Sequence, residues 1–333
     1  MRTRPHDLDD SDLADLLGRH WGFDAADLVY APVGFGSHHW LATEPTGRRR
    51  FVTVDDLRAR GPGGPVAALA KLTAAMVTAH TLRHVAGLPF VVSPTPADDG
   101  HVVQPMGESF AVAVFPHVDG CSWPGADVAT AADRAQVVGL LARLHAATPA
   151  VSTLAGVDSL RVPARAGLHR ALTELGAPWT SGPYAEPARD LLVAGKDDLL
   201  VLLSEYDRRV DALRGRGEPW VVTHGETHAQ NLLATDDGPV LLDWDTALVA
   251  PAARDLWMVE SGSGDELSRY AELTGRQVDP DDLATYRLWW DLCEVAEYVR
   301  WFRAPHTRMA DTEIAWGGLA GTMRVRERWP ELF

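Results

Sequence analysis

Three oxygen-bearing side chains stand at the ends of apolar runs. They are Glu226 and Asn231 in Val221-Val222-Thr223-His224-Gly225-Glu226-Thr227-His228-Ala229-Gln230-Asn231, and Asp243 after Val240-Leu241-Leu242. The order is that of a phosphoryl-transfer site, H-x-D-x-x-x-x-N followed by D, with Glu226 where aspartate is usual. The spacing has a chemical reason. An amide and a carboxylate brought to one edge can hold magnesium on the phosphates of a nucleotide, because magnesium takes few protein carboxylates and completes its shell with water and phosphate. The carboxylate five positions before the amide then faces an acceptor hydroxyl, to orient or deprotonate it. Two short apolar strands at 220–223 and 240–242, the second entered by a turn at 235–239, are expected to form the hairpin that carries these groups.

On these residues the chain resembles the aminoglycoside phosphotransferase family, most closely its spectinomycin-type branch. That family's sites read H-G-D-x-H-x-x-N and then I-D-W-[ED]. His224, Gly225, His228, Asn231, Asp243, Trp244 and Asp245 match. Asp255 in Pro251-Ala252-Ala253-Arg254-Asp255-Leu256 matches the later P-x-x-D-L signature with one extra residue, and the resemblance assigns it support of the loop. From about residue 28 onward the resemblance implies an α+β, two-lobed protein-kinase-like fold. It comprises a small antiparallel-sheet N-lobe that binds nucleotide (1–117) and a mainly helical C-lobe with the catalytic loop and substrate site (118–333). It further implies transfer of the γ-phosphoryl of ATP or GTP, with Mg2+, to a hydroxyl of a cationic antibiotic-like compound or related metabolite. Glu226, Asn231 and Asp243 are the expected catalytic residues, the last two as metal ligands.

A nucleotide also needs a phosphate turn and a hinge. Gly34-Phe35-Gly36-Ser37 between two strands can present backbone N–H groups, and only glycine lets a backbone come that close. Phe115 C=O and His117 N–H are the expected partners of the base, since Pro116 has no N–H. The third strand (51–54), however, has Thr53 or Val54 where a phosphate-gripping lysine is expected, and the helix after it (65–85) has no glutamate. Lys71, Arg58, Arg60 or the run Arg48-Arg49-Arg50 could substitute. The double loss also leaves open an inert kinase-like binding module, and His224, His228 and Asp243 leave open a metal hydrolase.

On the acceptor side, Asp291, Glu294 and Glu297 lie on one late helix (281–303), interleaved with Trp289, Trp290 and Trp301. In the family that the chain resembles, acidic residues on late helices bind ammonium groups. Asp245 is a further candidate for acceptor or metal.

A net charge of −15 argues against a binder of nucleic acid and accords with a cationic substrate. A continuous run of eighteen apolar residues does not occur, so a membrane partner is not expected. Cys121 and Cys293 lie far apart, and the N-terminus lacks a secretory apolar core, which points to the cytoplasm. Helical periodicity is expected at 11–21, 65–85, 130–147, 186–214, 265–274, 281–303 and 309–326, and strands at 28–33, 38–43, 51–54, 90–93, 101–104 and 109–115.

Overall fold

The computed structural model describes residues 1–59, 63–125 and 129–333. The chain packs as two compact units, Met1–Asp158 with Glu218–Asp279, and Ser159–Gly217 with Pro280–Phe333.

The first unit opens with helix α1 (Asp10–Trp21), started by Asp9 accepting from Ser11 N–H at 2.9 Å and stopped by Gly22 in the left-handed region. An antiparallel sheet follows: β1 (Asp27–Ala31), β2 (His38–Thr43), β3 (Arg49–Asp56), β4 (Gln104–Met106) and β5 (Phe110–Pro116), in the order β1-β2-β3-β5-β4. Alternation along the strands separates its two faces. Trp40, Val52, Val54, Val112 and Val114 pack against Leu13, Leu16 and Leu17 of α1. Phe51, Ala111, Ala113 and Phe115 pack against Ala68, Leu72 and Met76 of α2 (Gly64–His84). By length and composition α2 could cross a membrane. Its contacts with the sheet are those of a core helix.

Residues 90–93 do not form the expected strand. Only Val91 bridges, in parallel, to Leu241, with Leu241 N–H donating to Phe90 O at 2.7 Å and Val92 N–H to Leu241 O at 3.1 Å. The expected hairpin is also built differently. Its partners are two strands contiguous in sequence, Leu232–Thr235 and Gly238–Leu241. The tight turn between them joins neighbours, whereas Val221–Thr223 pairs antiparallel with Leu248–Ala250 in a separate small sheet. We number the remaining strands β6 (Cys121–Ser122), β7 (Gly156–Val157), β8 (Val221–Thr223), β9 (Leu232–Thr235), β10 (Gly238–Leu241) and β11 (Leu248–Ala250). The sheet orders are β10-β9-β6 and β7-β11-β8. Helix α3 (Ala131–Ala146) begins with a reciprocal cap between Thr130 and Asp133 and presents Val137, Val138, Leu141, Leu144 and His145 to the interior.

The second unit is helical. A single 32-residue helix, Ala185–Arg216, packs on Pro280–Arg303, which also packs on Arg165–Thr173 and Ala310–Thr322. The structure is an α+β fold.

Candidate active site

Strand β8 is fully buried and delivers the chain to His224, where a loop begins that is held from below. Both backbone N–H groups at its start donate to one carboxylate, His224 to Asp255 Oδ2 at 3.0 Å and Gly225 to Asp255 Oδ1 at 2.6 Å. The Asp255 carbonyl accepts from Thr227 Oγ1 at 2.8 Å. The carboxylate is itself oriented by His145 of α3, whose Nε2 lies 3.1 Å from Oδ2 and whose Nδ1 lies 2.8 Å from the Tyr270 hydroxyl. Burial pushes the Tyr270 phenol up to about 12, which keeps it a donor, so the network assigns the His145 proton to Nε2. Burial alone would raise the Asp255 carboxyl, but the His145 hydrogen bond, with the nearby Arg254 guanidinium, holds it below the ordinary range.

His224 is wholly buried and uses both ring nitrogens on backbone, Nε2 toward Leu242 O at 2.6 Å and Nδ1 accepting from Glu226 N–H at 3.2 Å. Burial lowers its pKa against the opposing pull of Asp255, so it stays neutral. With neither nitrogen available, a histidine metal centre on His224 is not built. His224 ties the loop to the residue before Asp243, and Trp244 packs edge-on against its ring at 4.7 Å.

Arg254 lies beneath Gly225 with Nη1 donating to Thr223 Oγ1 at 2.8 Å and Nη2 to Thr246 O at 2.9 Å. A Cβ on Gly225 would fall on that guanidinium, and Gly225 has φ +99°. Glycine is therefore required twice at this position.

The catalytic candidates sit on the other side of the loop. Asn231 Nδ2 donates to Glu226 O at 2.9 Å, which fixes the amide so that Oδ1 faces away from that carbonyl. Leu242 N–H donates to Asn231 O at 2.8 Å and couples the loop to the residue preceding Asp243. Asp243 is exposed and holds φ +60°, a left-handed conformation that aspartate and asparagine tolerate better than other side chains. Glu226 is partly exposed, with Oε2 3.8 Å from His228 Nε2. Asp245 is half-buried two positions beyond Asp243. Oxygen donors on Asn231 and Asp243 suit a hard cation such as magnesium.

The nucleotide candidates lie in the same unit. Gly34 and Gly36 take φ +67° and +105°, and Ser37 Oγ donates to Asp55 Oδ1 at 2.6 Å, closing the turn onto β3. Phe115 ends the buried stretch of β5, and His117 follows with Nδ1 3.6 Å from Asp119. Strand β6, just beyond, pairs with β9 of the hairpin, and Trp123 N–H donates to Leu232 O at 3.3 Å. Three of the six proposed substitute cations have acidic partners: Arg48 with Glu44 at 2.6 Å, Arg49 with Asp119 at 2.9 Å, and Arg58 with Asp56 and Asp7, both at 2.8 Å. Lys71 is exposed on α2, and Arg60 lies outside the described residues.

In the second unit, Asp291 is buried, paired with Arg328 and accepting from Trp329 Nε1 at 2.9 Å, so its carboxylate fastens the C-terminal segment. Glu294 accepts from Tyr298 at 3.2 Å and Glu297 pairs with Arg300. The sequence reading missed His145, Tyr270 and Arg254. A histidine on the apolar face of α3, next to Leu144, was the available signal.

The model of the phosphotransferase enzyme family matches residues 27–289. Protein StrN of Streptomyces griseus is 32% identical over 239 residues, 69% of this chain and 70% of StrN. Among solved structures, spectinomycin phosphotransferase APH(9)-Ia in complex with ADP and spectinomycin superposes with TM-score 0.72 at 15% identity, covering 98% of this chain and 100% of that one. Amicoumacin kinase hAmiN, in complex with AMP-PNP, Ca2+ and Ami, gives TM-score 0.59 at 15% identity, covering 96% of this chain and 94% of that one. At that identity these structures speak to the fold alone.

Proposed function

We propose the finer chemistry of a chain that belongs to the phosphotransferase enzyme family and is a small-molecule O-phosphotransferase with a nucleotide co-substrate. In this reading it moves the γ-phosphoryl of ATP or GTP to a hydroxyl of a cationic, antibiotic-like compound or related metabolite. The acceptor oxygen bonds to the γ-phosphorus while the bond to the β–γ bridging oxygen breaks, the nucleoside diphosphate leaves, and the hydroxyl proton passes to Glu226. Because the transition state is loose, orientation and charge neutralisation contribute more than base strength, and the longer Glu side chain can serve in place of Asp.

One observation carries the reading. Asn231 bonds to the Glu226 backbone through its side chain and, through the Leu242 N–H, to the strand end that bears Asp243. A base and two cation ligands are thereby fixed to one another by backbone. Asn231 and Asp243 would hold Mg2+, which supplies positive charge to the phosphates when bound. Residues 1–117 serve as the nucleotide lobe, with Gly34, Gly36 and Ser37 at the phosphates and Phe115 and His117 at the base. Residues 118–333 carry the catalytic loop and the acceptor contacts. Glu294, Glu297 and Asp245 are the acceptor contacts of this proposal, whereas Asp291 is already engaged by Arg328 and Trp329.

The test is thermal unfolding with ATP, GTP and Mg2+, followed by phosphate transfer to aminocyclitol and other amino-alcohol acceptors. A ligand that binds only the native state raises the midpoint by mass action. A midpoint unchanged by either triphosphate, or transfer that is the same without divalent cation, would overturn the reading.

A further inference from the structure

The sheet register identifies a residue that faces the missing lysine. His39 of β2 is directly opposite Thr53 of β3, and directly opposed residues share a face. That face is the one carrying Phe51, Ala113 and Phe115, because Trp40, the neighbour of His39, belongs to the opposite cluster with Val52 and Val54. The His39 ring stacks on Phe51 with centroids 5.1 Å apart and planes at 27°, which limits its rotation. Its Nε2 reaches the phosphate turn: a Cβ on Gly34 would stand 3.2 Å from it. The far end of the same turn is closed by Ser37 on Asp55, also on this face of β3.

We propose that His39 is a phosphate-binding residue, its Nε2–H donating to the triphosphate from the place where this chain lacks a lysine. The inference rests on the proposed nucleotide site. It takes the charge-pairing role away from Arg48, Arg49 and Arg58, whose guanidinium groups are held by Glu44, Asp119, Asp56 and Asp7. It also gives Gly34 a second reason to be glycine, since any side chain there would press on the imidazole edge.

The test compares triphosphate and nucleoside affinities by calorimetry at fixed Mg2+ and salt. His39→Phe keeps a ring to stack on Phe51 and removes the donor. His39→Gln keeps a donor. A hydrogen bond to a charged phosphate implies that His39→Phe weakens triphosphate binding roughly tenfold or more, with nucleoside binding unchanged and His39→Gln intermediate. Equal triphosphate affinity for wild type and a folded His39→Phe overturns the inference. Should that variant not fold, 15N-histidine spectra of the wild type decide: His39 ring signals move with triphosphate and not with nucleoside, and the converse overturns it. Failure of the wild type to bind any nucleotide is a different outcome, and counts against the nucleotide site itself.

Discussion

Asp255 Oδ1 accepts the Gly225 N–H at 2.6 Å while Oδ2 serves both the His224 N–H and His145. Each carboxylate oxygen thus faces donors, and only an acceptor-only group satisfies both sides. Asp255→Asn places an NH2 against one of those donors inside a dry interior. It is expected to cost about 3 kcal/mol or more, on the scale of a broken buried polar pair. Urea unfolding measures it; a loss below about 1 kcal/mol would show that the network is not what holds the loop.

The same network sets a pH dependence. The folded His224 pKa lies below its ordinary value because the ring is buried, so the unfolded chain takes up a proton first as pH falls. Stability from this group is therefore complete above about 6.5 and declines below it. Asp255, whose folded pKa is also depressed, keeps its contribution above about 3.9 and loses it as pH falls through the folded value. Unfolding free energy is expected to be flat from neutral pH down to about 6.5 and then to fall, with a shallower slope in His224→Gln. An unchanged slope in that variant refutes the assignment of a buried neutral ring.

Gly225→Ala asks a side chain to adopt φ +99° and to occupy the space of the Arg254 guanidinium. Backbone strain alone is of order 1–3 kcal/mol, and displacing a buried guanidinium from Thr223 and Thr246 adds to it. The variant should lose at least about 2 kcal/mol and most of its turnover. Differential scanning calorimetry and a steady-state assay report the two losses, and a stable, active variant would mean that the loop can relax away from Arg254.

Much of this was legible in the sequence because the relevant signals are local. Periodicity located α1, α2, α3 and the helix Asp265–Thr274 to within a residue or so, and the spacing of Glu226, Asn231 and Asp243 marked the loop. The strand partners of Val221–Thr223 and Leu232–Thr235 were not legible, since a three- or four-residue strand has no preference among apolar partners until tertiary packing supplies one. Nor were the roles of His145, Tyr270 and Arg254. Their partners are distant in sequence, and nothing in a lone histidine on an apolar face says which carboxylate it will meet. Asp291 shows the converse: its helical spacing was read correctly, while its engagement by Arg328 and Trp329 depends on the chain's end folding back.

Asp243→Asn keeps a side chain that tolerates φ +60°, so the fold should persist. In the proposed site, what it removes is the negative charge offered to a divalent cation. Turnover is expected to fall by roughly a hundredfold or more, with a much weaker response to added Mg2+, while the midpoint without nucleotide stays within about 2 °C of wild type. Calorimetric titration of nucleotide with and without Mg2+ separates the effects. Equal Mg2+ dependence in both proteins would remove Asp243 from the cation site.

Glu226 differs from its neighbours in having a side chain that faces outward while its backbone is held on both sides, N–H to His224 Nδ1 and C=O from Asn231 Nδ2. The carboxylate can therefore be changed with little disturbance of the loop. Glu226→Gln should lose about two orders of magnitude or more in kcat, the range of general-base catalysis, with nucleotide affinity nearly unchanged, because the proposed mechanism pairs it with the acceptor hydroxyl and not with the phosphates. Glu226→Asp is the geometric companion: it keeps a carboxylate and draws it back by about one C–C bond length. If the acceptor is placed for the longer side chain, Asp is the poorer catalyst, and because the loop backbone is pinned by His224 and Asn231 it cannot move forward to compensate. Parallel kcat and KM measurements for both variants decide the matter. Activity of Glu226→Asp at or above wild type would show that glutamate here carries no geometric meaning, and full activity of Glu226→Gln would remove it from the chemistry.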